Sequence, residues 1–170
     1  MRLTVVEEIT PVLLDRLRAG TIDVAILALP IRGHEFETFP LLTERLFAAV
    51  PKKHKLKSRP SLSLKDLRAE PFLLLRDGHC FRDTAIAACG RARLHPQIAF
   101  ESGQFSSLLS MVGAGMGVSI VPEMAIEKQS QCRYVRIADD QAVRTIGAVV
   151  LRGRSLTRAH RAFLAHLRDA

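Results

Sequence analysis

The chain of 170 residues has no tryptophan, one tyrosine and an aromatic content of only 5%, yet 48% of it is apolar. That balance suits a packed globular protein. It excludes disorder, collagen-like repeats and a disulfide-stapled miniprotein, and it fits one or two small domains. Cysteine is scarce: Cys80, Cys89 and Cys132 are too few and too odd in number for a structural disulfide framework, so at least one is a free thiol. Long apolar runs are absent as well. The longest, residues 24–31, ends against Pro30-Ile31 and falls far short of the roughly 18 to 20 residues that cross a bilayer. The first ten residues carry Arg2, Glu7 and Glu8 where a secretory signal would be apolar, which predicts a cytoplasmic location with no membrane partner. Acidic residues are outnumbered 25 to 17 by lysine and arginine, for a formal charge of +8. The densest basic cluster, Lys52 to Arg59, has no aromatic residue interleaved and lies between Pro51 and Pro60, so it reads as a solvated loop in preference to a DNA contact.

What is present is an alternation of short apolar runs with helical patterns. Thr10-Pro11 sets a capping hydroxyl before a proline at the first helical position; Leu13, Leu14 and Leu17 share a face, and Gly20 is a stop signal. Residues 22–29 contain one charge, Asp23, and predict a strand covered on both faces. Further strands are predicted at 46–50, 71–75, 97–101, 118–121, 133–137 and 145–151. Phe105, Leu108, Leu109 and Val112 form an i, i+3, i+4, i+7 set, ended by the alternating glycines Gly113, Gly115 and Gly117. Leu156, Phe163, Leu164 and Leu167 mark a C-terminal amphipathic helix. The order predicts an α/β architecture with mostly parallel sheets.

The segment from Leu73 to Asp83 carries the most chemistry. An apolar strand ends, Asp77-Gly78 makes a polar turn, and residues 82–89 have helix-forming composition with Gly90 as a stop. Cys80 therefore falls at a helix amino terminus, where unpaired N–H groups carry about half a positive charge and favour an anionic neighbour. His79 and Arg82 flank it. Taken alone, Cys80 reads first as a small residue packed at a helix start. Cys89 lies nine residues on, near the face of Phe81, Ala85 and Ala88, and has a reading as ordinary core. In a continuous helix nine residues rise about 13.5 Å and turn about 900°, so the two sulfurs face opposite sides. A disulfide needs Cα atoms within about 7 Å, so bonding Cys80 to Cys89 requires that helix to unwind. Cys132 is assigned no role.

The segments Ser110 to Pro122 and Gly20 to Ile26 together resemble the regulatory domain of LysR-type transcriptional regulators. Asp77-Gly78-His79-Cys80-Phe81-Arg82-Asp83, with Cys89 at the family spacing, resembles more narrowly the peroxide-sensing OxyR group, supported by Glu8-Ile9-Thr10 and Arg144-Thr145-Ile146-Gly147. The resemblance implies two Rossmann-like, periplasmic-binding-protein-like subdomains joined by two crossover segments: residues 1–44 with 147–170, incomplete at the front, and residues 45–146, carrying the redox cysteines. Carried over, Cys80 matches the peroxidatic cysteine and Cys89 the resolving one. Thr10, His79, Arg82 and Asp83 match polar residues of a peroxide pocket, and Arg144 an arginine that supplies positive charge. Each of these has a structural alternative: Thr10 and Asp83 as helix caps, Arg144 as the partner of an acidic neighbour.

The winged helix-turn-helix and linker helix of such regulators are not in this sequence, so promoter DNA is expected to be reached only through a missing amino-terminal domain. The family further implies hydrogen peroxide as effector, a homodimer or homotetramer, RNA polymerase as a partner and a glutaredoxin- or thioredoxin-like reductant. It implies no cofactor, no metal and stoichiometric sensing in place of enzymatic turnover. The rival is a regulator of the same fold whose cleft binds a small organic anion near Arg82 and Arg144. A thiol peroxidase is the third reading.

Overall fold

Helix α1 (Thr10–Ala19) begins one residue earlier than its capping signal predicts: Ile9 is the N-cap, no side chain caps the end, and Thr10 is already helical, with Pro11 in the first turn. Proline tolerates the shift, because its missing N–H falls among the first-turn donors that have no intrahelical acceptor in any case. The helix ends where predicted, at Gly20, whose φ of 69° is left-handed. The protein, seen here in a computed structural model, is described over residues 3–127, 131–155 and 157–169. It divides into two compact units, Met1–Thr43 with Thr145–Ala170, and Glu44–Arg144. The chain passes between them twice, along β2 (Phe36–Pro51) and β8 (Val143–Leu151).

In the first unit, β1 (Ala25–Leu29) pairs antiparallel with β8, from Ala25 opposite Val149 to Leu29 opposite Thr145. The strand is shorter than the apolar run that encodes it, and only one face is covered: Ala25 and Leu27 are buried while Ile26 is 44% exposed. Leu17, Ala25, Leu27, Phe36 and Val149 form the core, with Leu13 and Leu14 of α1 packed against it. Helix α4 (Arg158–Asp169) follows β8. It buries Leu164 and half-buries Phe163 and Leu167, while Leu156 lies outside the described residues.

In the second unit, the end of β2 is sandwiched between two antiparallel neighbours, β6 (Ser119–Pro122) and β7 (Cys132–Ile137). Two-residue β3 (Ser61–Leu62) runs parallel to β7, and β4 (Pro71–Leu75) runs parallel to β5 (Gln97–Ser102). The pairing is therefore not mostly parallel, as the order of elements predicts: β1–β8, β2–β6 and β2–β7 are antiparallel, and β3–β7 and β4–β5 are parallel. The crossover strands are the reason: β2 and β8 enter between elements of their own unit and run against them, which apolar patterning alone does not reveal. Val118 and Phe72 form a parallel bridge, with Leu73 N donating to Val118 O at 2.8 Å and Val118 N to Pro71 O at 2.9 Å. Gly117 makes this approach possible, since a Cβ there would lie 2.3 Å from Pro71 O.

Helices α2 (Cys80–Arg91) and α3 (Phe105–Gly113) bury Phe81, Ala85, Ala88 and Cys89, and Leu108, Leu109 and Val112, in the same core as Leu46, Val50, Phe72 and Ile120. Gly90 does not stop α2, which continues to Arg91. The turn comes at Arg93, with a φ of 55°. The basic loop is exposed except for buried Leu56 and half-buried His54. It is pinned by Glu70, whose carboxylate takes Lys55 Nζ at 2.8 Å and His54 Nε2 at 3.3 Å. No described helix is long and apolar enough to cross a membrane.

Candidate functional site: the amino terminus of α2

Strand β4 ends at Leu75, Gly78 takes a φ of 90° in the turn, and His79 is the N-cap of α2, so Cys80 is the first helical residue. Gly78 is needed because that φ is unfavourable for other residues. No side chain caps this end, and of the first-turn donors Arg82 N–H bonds His79 O at 2.9 Å, which leaves those of Cys80 and Phe81 without a side-chain acceptor. The Cys80 sulfur belongs to a half-buried residue. Its own carbonyl accepts from Thr84 Oγ1 at 3.0 Å, which fastens the first turn. Asp83 is exposed and already within that turn; it does not cap the helix.

Arg82 is the clasp of the site. Its Nη1 donates to Leu75 O at 3.0 Å and to the Glu101 carboxylate, and its Nε lies 2.7 Å from Asp77 Oδ1. The side chain is 15% exposed, and it ties together the ends of β4 and β5 and the start of α2. Two carboxylates on one guanidinium also mean that Arg82 contributes less positive charge near Cys80 than the sequence suggests.

Arg144 lies beside the next residue along. Its Cζ sits 5.2 Å from the centroid of the Phe81 ring, which in turn packs at 5.3 Å against Phe105. Arg144 Nε donates to Glu44 Oε1, and the two side chains are 9% and 8% exposed, a buried ion pair. The second Glu44 oxygen accepts from the Met124 backbone N–H at 2.9 Å, and Arg144 Nη2 donates to Met124 Sδ at 3.0 Å. Glu44 and Met124 were not among the residues singled out from sequence. A signal for Glu44 did exist: it shares strand parity with buried Leu46, Ala48 and Val50, and an acid in a buried row needs a cation. Met124 gave none, because its role depends on a turn that brings position 124 to position 144.

Cys89 is 1% exposed, and burial pushes its thiol up to about 11 from 9.0. Both cysteines lie on one uninterrupted helix, so the sulfurs are held on opposite sides and about 13.5 Å apart along the axis. The structure thus brings Cys80, His79, Arg82 and Asp83 together at one helix end with Arg144 against Phe81, and keeps Cys89 in the core. Thr10 opens α1 in the other unit. Cys132 is buried at the start of β7, its Sγ 3.1 Å from Leu109 O. Among the described residues no group of three or more His, Cys, Asp or Glu side chains is arranged to hold a metal ion.

The family model of the LysR substrate binding domain matches residues 1–170. An uncharacterised HTH-type transcriptional regulator of Bacillus subtilis, YybE, is 33% identical over 145 residues, covering 85% of this chain and 50% of its own. The DNA-binding transcriptional dual regulator OxyR of Escherichia coli is 33% identical over 147 residues, covering 85% and 48%. Among solved structures, a cysteine-to-serine mutant of Corynebacterium glutamicum OxyR with H2O2 bound superposes with a TM-score of 0.86 at 29% identity, covering 96% of this chain and 53% of that one. The chain spans about half the length of the curated relatives it matches. The fold is thereby the α/β, two-subdomain, periplasmic-binding-protein-like arrangement of these regulatory domains.

Proposed function

The chain belongs to the LysR substrate binding domain family, and from that premise we propose that it is the redox-sensing part of an OxyR-like transcriptional regulator, with Cys80 reacting with hydrogen peroxide and Cys89 completing a disulfide. The observation that carries this reading is the placement of two thiols on one helix, one half-exposed at its uncapped first residue and the other buried nine residues later. In the first step the Cys80 thiolate attacks one peroxide oxygen. A sulfur–oxygen bond forms, the oxygen–oxygen bond breaks, and hydroxide leaves and is protonated to water, giving the sulfenic acid. In the second, Cys89 sulfur attacks that sulfenic sulfur, expelling its oxygen as a second water and forming the disulfide. The two steps consume one peroxide and two thiols.

The residues have distinct tasks in this account. First-turn N–H groups of α2 favour the anionic sulfur and the departing oxygen. His79 and Asp83 provide hydrogen-bonding groups for peroxide. Arg82 positions the helix end, and Arg144 supplies the cation behind Phe81. Cys89 waits as a protonated, buried thiol and becomes a nucleophile only when α2 opens. Each peroxide consumes both thiols of one chain, so the protein acts as a stoichiometric sensor and not as an enzyme. A glutaredoxin- or thioredoxin-like reductant resets it. In a regulator of the family's length, the altered helix would repack subunits of a homodimer or homotetramer and change how paired DNA-binding domains and RNA polymerase engage a promoter.

The competing reading, a small organic anion held by Arg82 and Arg144, meets an obstacle: both guanidinium groups already sit on carboxylates, Asp77 and Glu101 for one and Glu44 for the other. An anion would have to displace them. Peptide mapping by mass spectrometry after one equivalent of hydrogen peroxide separates the two. The sensor reading expects a Cys80–Cys89 linkage that is lost in Cys80→Ser. Unmodified thiols, or a response that survives Cys80→Ser, would contradict it.

A further inference from the structure

The Glu44–Arg144 pair holds a third group whose chemistry is oxidative. Met124 lies in the short helical turn Glu123–Ala125 directly after β6, is 61% exposed, and is locked at both ends. Its backbone N–H is bound by Glu44 Oε2 and its sulfur by Arg144 Nη2. Surface methionines ordinarily lack such anchoring, because the thioether is flexible and a weak acceptor. Here a fixed cation sits 3.0 Å from the sulfur of an exposed residue.

We propose that Met124 is a second oxidation site, converted to methionine sulfoxide by hydrogen peroxide with the Arg144 guanidinium assisting. The sulfur lone pair not engaged by Arg144 attacks a peroxide oxygen. A sulfur–oxygen bond forms as the oxygen–oxygen bond breaks, sulfur loses two electrons, and the departing hydroxide takes the remaining peroxide proton and leaves as water. Arg144 carries five N–H donors, and after the bonds to Glu44 and to sulfur it retains hydrogens for the departing oxygen, on which negative charge develops. A donor fixed by a buried ion pair does not have to be reorganised for that purpose. The product also has a consequence. A sulfoxide oxygen is a far stronger acceptor than a thioether, so Met124 sulfoxide grips Arg144 Nη2 more tightly than the thioether does, at a guanidinium that lies over the Phe81 ring, one residue from Cys80. Oxidation at Met124 does not require Cys80, and it registers heavier exposure to oxidant than the thiol does.

Met116 is the internal reference, 50% exposed and free of the Glu44–Arg144 anchoring. The full chain and its Cys80→Ser variant are treated with excess hydrogen peroxide, a free methionyl tripeptide is added to the same tube, and the sulfoxide at each methionine is followed by peptide mapping. Met124 is expected to oxidise about fivefold or more faster than Met116 and than the tripeptide, equally in both proteins. The double variant Glu44→Gln/Arg144→Gln removes the pair without leaving a buried charge alone, and in it the two methionines should oxidise at similar rates. Equal rates in the unaltered chain, a Met124 slower than the tripeptide, or a preference that survives the double variant would each overturn the proposal. Because Cys80→Ser is predicted to leave the preference intact, failure here is distinguishable from failure of the disulfide reading.

Discussion

Cys89 is chemically silent in the folded protein because burial disfavours its charged form. A thiol whose ionisation is raised from 9.0 to about 11 stays protonated in the native state over the range where the unfolded chain has already lost its proton. The unfolded state then binds fewer protons, so the stability Cys89 contributes is fully present below about pH 9 and is lost between there and about pH 11, at up to about 1.4 kcal/mol per pH unit. Urea unfolding of the reduced protein against Cys89→Ala should show the two curves of stability with pH converging over that range; parallel curves would contradict it. Glu44 is the other residue with a sharp expectation. Its truncation strands Arg144, of which only 9% is exposed, so Glu44→Ala should cost about 3 to 5 kcal/mol in the same assay, and the double variant Glu44→Gln/Arg144→Gln considerably less. A Glu44→Ala loss under about 1 kcal/mol would mean that water, not Glu44, solvates the guanidinium.

At the scale of elements, α2 is, in the proposed reading, both the carrier of the chemistry and the part that must give way. Its stability as a helix therefore opposes disulfide formation. Gly90 offers a way to test this without touching either sulfur: it is helical, its φ is not positive, and a Cβ there would meet nothing within 4 Å. Gly90→Ala should stabilise α2 by about 0.5 to 1 kcal/mol and slow the closing of the Cys80–Cys89 disulfide about two- to fivefold, measured by quenched alkylation. An unchanged rate would place the barrier outside the helix. Gly117 makes the opposite prediction. A Cβ 2.3 Å from Pro71 O forces apart the Val118–Phe72 bridge, so Gly117→Ala should lower stability by more than about 2 kcal/mol by thermal unfolding. Much of this was legible in sequence where spacing and punctuation coincide. Phe105, Leu108, Leu109 and Val112 mark α3 to within a residue, and Pro71 to Leu75 marks β4 in full. What was not legible depends on pairing across the chain. The burial of only one face of β1 follows from its antiparallel partner β8, more than a hundred residues away, and no local pattern encodes that partner. The same holds for Arg144: an acidic partner is one of its readings in sequence, but nothing local identifies that partner as Glu44, a hundred residues before it.

For the molecule as a whole, the two units share two strands, and α2 sits entirely within the second unit. A rearrangement of α2 is thus a change in the core of the second unit, where Phe81, Ala85, Ala88 and Cys89 pack against Phe72, Leu74 and Val112. Drawing Cys89 out of that core would expose apolar surface at a cost of about 25 cal/mol for each Å² uncovered, which in the proposed switch holds the reduced form in place until a covalent bond offsets it. The account therefore rests on a coupling: the disulfide and the intact helix exclude one another. Hydrogen exchange of residues 80–91, followed by mass spectrometry on reduced protein and on protein oxidised with one equivalent of peroxide, tests that coupling most directly. The prediction is slow exchange across α2 when reduced and fast exchange once Cys80 and Cys89 are joined. A joined pair with the helix still protected from exchange would contradict it.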